Sequence, residues 1–222
     1  MEVLHDILLW IHIPAGTLSL ILFWIPVMVK KGNNTHRKVG RIYYWTMWIV
    51  QITALLLSIN NVFLDRYIMA SFLGFLAILT GYPLWYSYEI LQQKKEWSDR
   101  YFKTRKAFAC VLFLASMCMI IGAALLKFQD FGILMLFFGL LGIPSLRDVL
   151  MTKEVATAKE NRIKMHMKGT IISGIAAYTA FLSFGGRSLF GDLLSGYWQF
   201  LPWIAPTIIG LIILRFMKKK YA

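Results

Sequence analysis

The four histidines are the side chains of this sequence best suited to chemistry, because a neutral imidazole binds transition metals and a protonated one exchanges protons near neutral pH. His5 and His12 stand close together near the start of the chain, whereas His36 and His166 are far apart in sequence. An ionisable group near or within an apolar segment is a functional candidate, because burying it in a membrane is costly. Whether two of these imidazoles share a site depends on the elements that position them.

Those elements are long apolar segments. Hydrophobic residues make up 58% of the 222 residues, which excludes a water-soluble fold. A hydrocarbon layer of about 30 Å requires roughly 20 apolar residues per helix. We therefore predict an all-α integral membrane bundle of seven transmembrane helices in one domain, residues 1–222, with spans at 7–29, 42–61, 67–91, 107–126, 131–151, 169–187 and 199–217.

The basic residues predict how this bundle is oriented. Of the 24 Lys and Arg residues, all except Arg66, Lys127 and Arg187 fall in alternate connections or at the C-terminal end. Because cytoplasmic connections are rich in Lys and Arg, we predict an outer N-terminus, a cytoplasmic C-terminus and a multi-pass location in the bacterial cell membrane. The basic residues flank the spans, so we expect them to contact anionic lipid headgroups on the cytoplasmic side and to bind no nucleic acid.

This orientation separates the histidines. His5 and His12 lie on the outer side, whereas His36 lies in the first inner loop and His166 at the inner start of the sixth span. A bis-histidine haem needs two imidazoles from different helices at a similar depth. His12 has no such partner, and His36 and His166 could pair on the inner side only with His36 coming from a loop and not from a span. For His12 the alternative to a functional role is a hydrogen bond to a backbone carbonyl, and we expect that bond.

The inner side also carries acidic and basic candidates. With His36 and His166, Asp148 could supply three ligands to zinc or iron and leave a position open for water or substrate. Alternatively, Arg41 or Arg162 neutralises Asp148 within a ring of interfacial charges. The polar candidates outside the three-ligand set are His12, Arg41, Glu89, Arg147 and Arg162.

One segment of the sequence resembles a known pattern. Residues 31–41 read KGNNTHRKVGR, which follows His12 and Gly16 and precedes the pair His166 and Met167 far downstream. This arrangement resembles an uncharacterised family of predicted bacterial polytopic membrane proteins, a domain-of-unknown-function family with the pattern H-x3-G, KG-x3-HR-x2-GR and HM. The resemblance implies a multi-helix membrane fold and no established activity, and it singles out His36 and His166.

Three functions remain open at this stage. The working hypothesis is a metal- or haem-binding membrane enzyme or redox protein with a cytoplasmic-side His, Asp and Arg site, its cofactor being haem or a divalent metal. One alternative is a small-molecule or ion transporter with a polar path between helices 1, 2 and 3, lined by the kinked first helix and by Gln51, Thr53, Tyr82, Pro83 and Tyr86. The other alternative is a non-catalytic accessory subunit. No HExxH, G-x-S-x-G or phosphate-binding glycine loop occurs in the sequence, so no catalytic residue is assigned.

Overall fold

A computed structural model describes residues 2–93, 97–127, 131–159, 161–186 and 201–221. All regular elements within these ranges are helical. They are α1 Glu2–Met28, α2 Asn34–Phe63, α3 Tyr67–Glu89, α4 Asp99–Leu125, α5 Phe131–Gly142, α6 Ser145–Leu150, α7 Lys153–Lys159, α8 Arg162–Ala180 and α9 Leu201–Tyr221. A 3-10 turn, Ile90–Gln92, follows α3, and a π-helical turn, Phe181–Gly185, follows α8.

Six elements of the described chain are long and apolar enough to cross a membrane: α1, α2, α3 with its 3-10 turn, α4, α5 together with α6, and α9. The chain is therefore an all-helical, multi-pass membrane protein. The predicted span 169–187 falls on α8, which is not among the six because its first turns carry Arg162, Lys164 and Lys168. Residues 187, 199 and 200 of the predicted spans lie outside the described residues.

Helices α2 and α4 begin about eight residues before the apolar segments from which we predicted them. The side chain of Asn33 accepts a hydrogen bond from the backbone N–H of His36 at 2.7 Å, so α2 starts at Asn34 and not near residue 42. Likewise, Ser98 accepts from the N–H of Tyr101, and α4 starts at Asp99. The placement of His36 in a loop was therefore wrong, because the residue lies in the first turn of α2.

The predicted fifth span is interrupted. Its first helix, α5, ends at Gly142, and α6 begins at Ser145 after Pro144. Proline has no backbone N–H to donate and disfavours helical geometry in the residue before it, so a break at this position is expected. The short helix α6 then carries Asp148 towards α4.

Helix α8 packs closely against α3 and α9. A Cβ atom on Gly169 would lie 2.6 Å from the carbonyl oxygen of Pro83 and 2.6 Å from Cε2 of Tyr86. Only glycine allows this approach. One turn further on, Ser173 is fully buried and its hydroxyl lies 3.4 Å from that of Tyr43 on α2. A small-residue stripe thus brings α8 against α2 and α3.

Candidate functional site

The first turn of α2 and the second turn of α8 bring His36 and His166 together. Their ring centroids are 6.3 Å apart and their ring planes are inclined by 78°. Both side chains are partly buried. Two imidazoles from different helices thus face each other at the end of the bundle where α1 connects to α2.

Hydrogen bonds to two further helices fix the tautomer of both rings. Nδ1 of His36 lies 3.1 Å from the carbonyl oxygen of Pro26 on α1, and Nδ1 of His166 lies 2.8 Å from that of Ser87 on α3. Because a carbonyl oxygen can only accept, each Nδ1 carries the proton and each Nε2 presents a lone pair. Neither Nε2 has a hydrogen-bond partner among the described residues. Histidines that bind metals are typically held in this way.

A lysine stands beside this pair. The ammonium group of Lys31 donates to the carbonyl oxygens of Pro26 and Val27, each at 2.6 Å, so it shares the Pro26 oxygen with His36. Burial, together with the positive charge of Lys220 in the last turn of α9, lowers the pKa of Lys31. The histidine pair therefore has a positively charged edge.

Asp148 belongs to a different cluster. Its Oδ1 accepts from Nη2 of Arg105 at 2.9 Å, and its Oδ2 accepts from the hydroxyl of Tyr82 at 2.5 Å. Arg105 is only 4% exposed, and its guanidinium lies 5.8 Å from the ring centre of Tyr86 and 5.5 Å from that of Trp97. This is a buried ion pair enclosed by aromatic side chains, which stabilise the cation.

The three predicted metal ligands therefore do not share one site. His36 and His166 lie together, whereas Asp148 lies with Arg105 and Tyr82. Both carboxylate oxygens of Asp148 are already hydrogen-bonded, and the part of the chain that the structure describes contains no group of three His, Cys, Asp or Glu side chains arranged for a metal ion. Neutralisation of Asp148 by Arg41 or Arg162 was also wrong, because Arg105 performs it. Arg162 instead donates to the carbonyl oxygen of Gln93.

Three polar candidates remain, on α2, α3 and α6. Arg41 is exposed on the second turn of α2, and Glu89 is the last, partly buried residue of α3. Arg147 is exposed on α6, next to Asp148. The structure brings none of these three side chains to the histidine pair in any contact it records.

Arg105 is the buried partner of Asp148 that the sequence analysis missed. It was counted among the loop cations because the apolar segment begins at residue 107, whereas α4 begins at Asp99. A stronger signal was present in Ser98 followed by Asp99, since Ser is a favoured helix cap and Asp is favoured in the first turn. Starting the helix there would have placed Arg105 two turns inside it.

His12 forms a contact between α1 and α2. Its Nδ1 lies 2.8 Å from the hydroxyl oxygen of Thr53, and the Val50 carbonyl is also a hydrogen-bond partner. Because the Thr53 hydroxyl donates its proton to the Ile49 carbonyl at 2.7 Å, its oxygen accepts from His12. The hydrogen bond to a backbone carbonyl that we expected for His12 is thus present at Val50, beside the contact with the Thr53 side chain.

Three residues of the predicted polar path are hydrogen-bonded to side chains of neighbouring helices. Gln51 is 4% exposed, and its Oε1 accepts from the hydroxyl of Thr80 on α3 at 2.7 Å. Thr53 is bonded to His12, and Tyr82 to Asp148. These side chains hold helices together in the structure.

Comparison with known proteins found no relative of this chain. No family model matches the sequence, and no curated protein or solved structure matches it either. The family resemblance of residues 31–41 therefore stays a prediction, and a proposed function depends on the geometry of the two clusters.

Proposed function

We propose that this chain is a haem-binding redox protein of the cell membrane, in which His36 and His166 would hold the haem. The observation that carries the proposal is the pair of imidazoles from different helices, each with its Nδ1 proton donated to a backbone carbonyl. Carbonyls of Pro26 and Ser87 orient the two rings and increase the basicity of Nε2.

The separation of the rings supports a shared metal ion. The centroids of the His36 and His166 rings are 6.3 Å apart, so an ion between the rings would be within reach of both imidazoles.

The number of ligands favours haem over a mononuclear zinc or iron site. Structural zinc takes four protein ligands and catalytic zinc takes three. A porphyrin supplies four nitrogens itself, so haem iron needs two side chains, and two imidazoles are what the site offers. Asp148, the third ligand of the predicted zinc or iron site, is bound to Arg105 and Tyr82. A haem held by the two histidines would supply one-electron transfer.

Haem content tests this proposal directly. The wild-type protein, produced in cells supplied with haem precursor, is expected to purify with about one haem and one iron per chain. His36→Ala and His166→Ala are each expected to lose most of the bound haem, whereas His5→Ala, the same substitution at the other end of α1, should retain it. A wild-type protein that folds without haem or iron, or alanine variants with full haem content, would contradict the proposal.

We also propose seven spans, with α8 as the sixth, an outer N-terminus and a cytoplasmic C-terminus; the distribution of Lys and Arg supports this. The exposed cysteines Cys110 and Cys118 can first be replaced by serine. A membrane-impermeant maleimide should then label Asp65→Cys in intact cells, and Lys153→Cys only after permeabilisation. The reverse labelling pattern would invert the orientation.

A further inference from the structure

Helices α3 and α4 pack tightly at one end and leave a cavity between them at the other. Towards the end of α3 and the start of α4, the Trp85 ring stacks on those of Tyr101 and Phe108, with centroids 5.5 Å and 5.1 Å away. Towards the start of α3 and the end of α4, a cavity of about 500 Å³ lies between the helices, with side chains of α2 and α5 in its wall. This volume is within the range of about 300–1,000 Å³ that is usual for ligand pockets.

Small side chains leave room for this cavity, and flexible ones complete its wall. Gly74 lines it on α3, and Ala115 and Gly122 line it on α4. Met119 of α4 and Met135 of α5 also belong to the wall, and unbranched methionine side chains adapt to irregular shapes. The wall therefore offers a hydrocarbon chain an apolar surface that can adjust to it.

Three hydroxyl groups line the part of the cavity nearest the connection between α2 and α3, and all three already donate their protons. Ser58 donates to the Ala70 carbonyl at 2.6 Å, and Ser71 donates to the Tyr67 carbonyl at 2.9 Å. The Tyr67 hydroxyl donates to Asp65 at 2.7 Å. The three oxygens are left with lone pairs, so they can accept further hydrogen bonds. Within the part of the chain that the structure describes, no charged side chain lines the cavity, so a matching ligand is uncharged and carries an O–H donor.

We propose that this cavity binds a neutral lipid alcohol, which is a single hydrocarbon chain ending in an uncharged hydroxyl group. The ligand hydroxyl donates to the hydroxyls of Ser58 and Ser71, and its chain lies beside Ala115 between α3 and α4. Helix α3 spans the membrane and begins at Tyr67, so the lining residues from Tyr67 to Phe75 extend about 12 Å along the helix from the membrane surface. A lipid alcohol lies in the bilayer in the same way, with its hydroxyl near the surface and its chain in the hydrocarbon layer.

This site is separate from the histidine pair. Ser58 lies near the end of α2 and His36 in its first turn, so about 33 Å of helix separate them. Binding of a lipid alcohol therefore does not require haem at the histidines, and failure of either proposal leaves the other intact.

Photo-crosslinking of the full-length protein in phosphatidylcholine nanodiscs tests the proposal. A farnesol analogue with a diazirine in its chain is expected to label residues of the cavity wall on α3 and α4, and unlabelled farnesol should compete. Farnesyl methyl ether has the same chain but no O–H donor, so it should compete about fivefold more weakly. Replacing both Ser58 and Ser71 by alanine should remove this difference between the two competitors.

Two substitutions on α4 distinguish the cavity from the surface around it. Ala115→Phe places an aromatic ring in the cavity and should abolish most of the cross-linking. The matched control is Ala124→Phe, at an exposed alanine that is not part of the cavity wall, which should cross-link as the wild type does. The competition experiment on the wild-type protein needs no substitution, so it tests the proposal even if Ala115→Phe fails to fold.

The outcomes also distinguish a bound ligand from bilayer lipid in passing contact with α3 and α4. Cross-linking that farnesol does not compete, or equal competition by farnesol and its methyl ether, would overturn the proposal, because bulk lipid neither saturates nor depends on an O–H donor. Full cross-linking of a folded Ala115→Phe would overturn it as well.

Discussion

The buried ion pair between Arg105 and Asp148 makes a quantitative prediction about stability. The Arg105 side chain is 5% exposed and that of Asp148 is 16% exposed, so neither charge is well hydrated. Asp148→Leu removes the carboxylate, so the buried guanidinium of Arg105 loses its ion pair with Asp148. We expect this single substitution to destabilise the protein more than the removal of any exposed ion pair.

The size of the effect follows from the surroundings of each charge. Removing one partner of a buried pair costs about 3–5 kcal/mol. Arg105 keeps its contacts with the Tyr86 and Trp97 rings, which offset part of this, so Asp148→Leu should cost about 3 kcal/mol. In Arg105→Met, Asp148 keeps the Tyr82 hydroxyl and some water contact, so the expected cost is about 2 kcal/mol. Replacing both charges together should cost about 1 kcal/mol or less.

The assay is unfolding by sodium dodecyl sulfate in mixed micelles, followed by the fluorescence of the eight tryptophans. The double-mutant cycle from these four proteins should give a coupling energy of about 4 kcal/mol. In thermal unfolding the same Asp148→Leu cost should appear as a decrease in Tm of about 6–12 °C. Lys153→Leu serves as the control, because Lys153 pairs with the exposed Asp99 and this solvent-screened pair should contribute far less than the buried one.

A coupling energy below about 1 kcal/mol would refute the reasoning, because the two charges would then be hydrated or paired elsewhere. The reasoning would also be refuted if the double variant lost as much unfolding free energy as the two single variants together. Either result would mean that α4 and α6 are not joined by a buried ion pair.

Further predictions concern close packing and one hydrogen bond, and each has a matched control measured in the same unfolding assay. Gly169→Ala should cost about 1–3 kcal/mol because the new Cβ meets the backbone of α3, whereas Gly16→Ala, which meets nothing within 4 Å, should be neutral or stabilise by up to about 1 kcal/mol. Equal effects at the two glycines would be evidence against the close approach of α8. Tyr82→Phe should cost about 1.5–3 kcal/mol because its hydroxyl donates to Asp148, whereas Tyr88→Phe should change stability by less than about 0.5 kcal/mol. A neutral Tyr82→Phe would mean that this hydrogen bond contributes nothing to the stability of the fold.

Hydropathy predicted the helices but not where they begin. The apolar part of α4 starts near residue 107, yet the helix starts at Asp99, because hydrogen bonding to Ser98 determines the start and hydrophobicity determines only the part within the membrane. The charge pattern placed His36 and His166 on one side of the membrane. It could not show that the rings are adjacent, because that depends on which helices α8 contacts.

The partner of Asp148 was unpredictable for a related physical reason. Any of several arginines on the inner side could have reached the carboxylate, and the choice depends on the path of the chain after Pro144. That path brings α6 against α4 and so selects Arg105. Contacts of this kind between elements distant in sequence follow from packing, which no single segment encodes.

The absorption spectrum of the purified protein, recorded oxidised and after reduction with dithionite, tests the central claim most directly. Axial ligation by His36 and His166 predicts a Soret band with the sharp visible bands of six-coordinate, low-spin haem in the reduced wild-type protein. His166→Ala should lose the low-spin spectrum, and His12→Ala should keep it provided that it folds. A wild-type protein without a Soret band, or a low-spin spectrum unchanged by His166→Ala, would contradict haem ligation by this histidine pair.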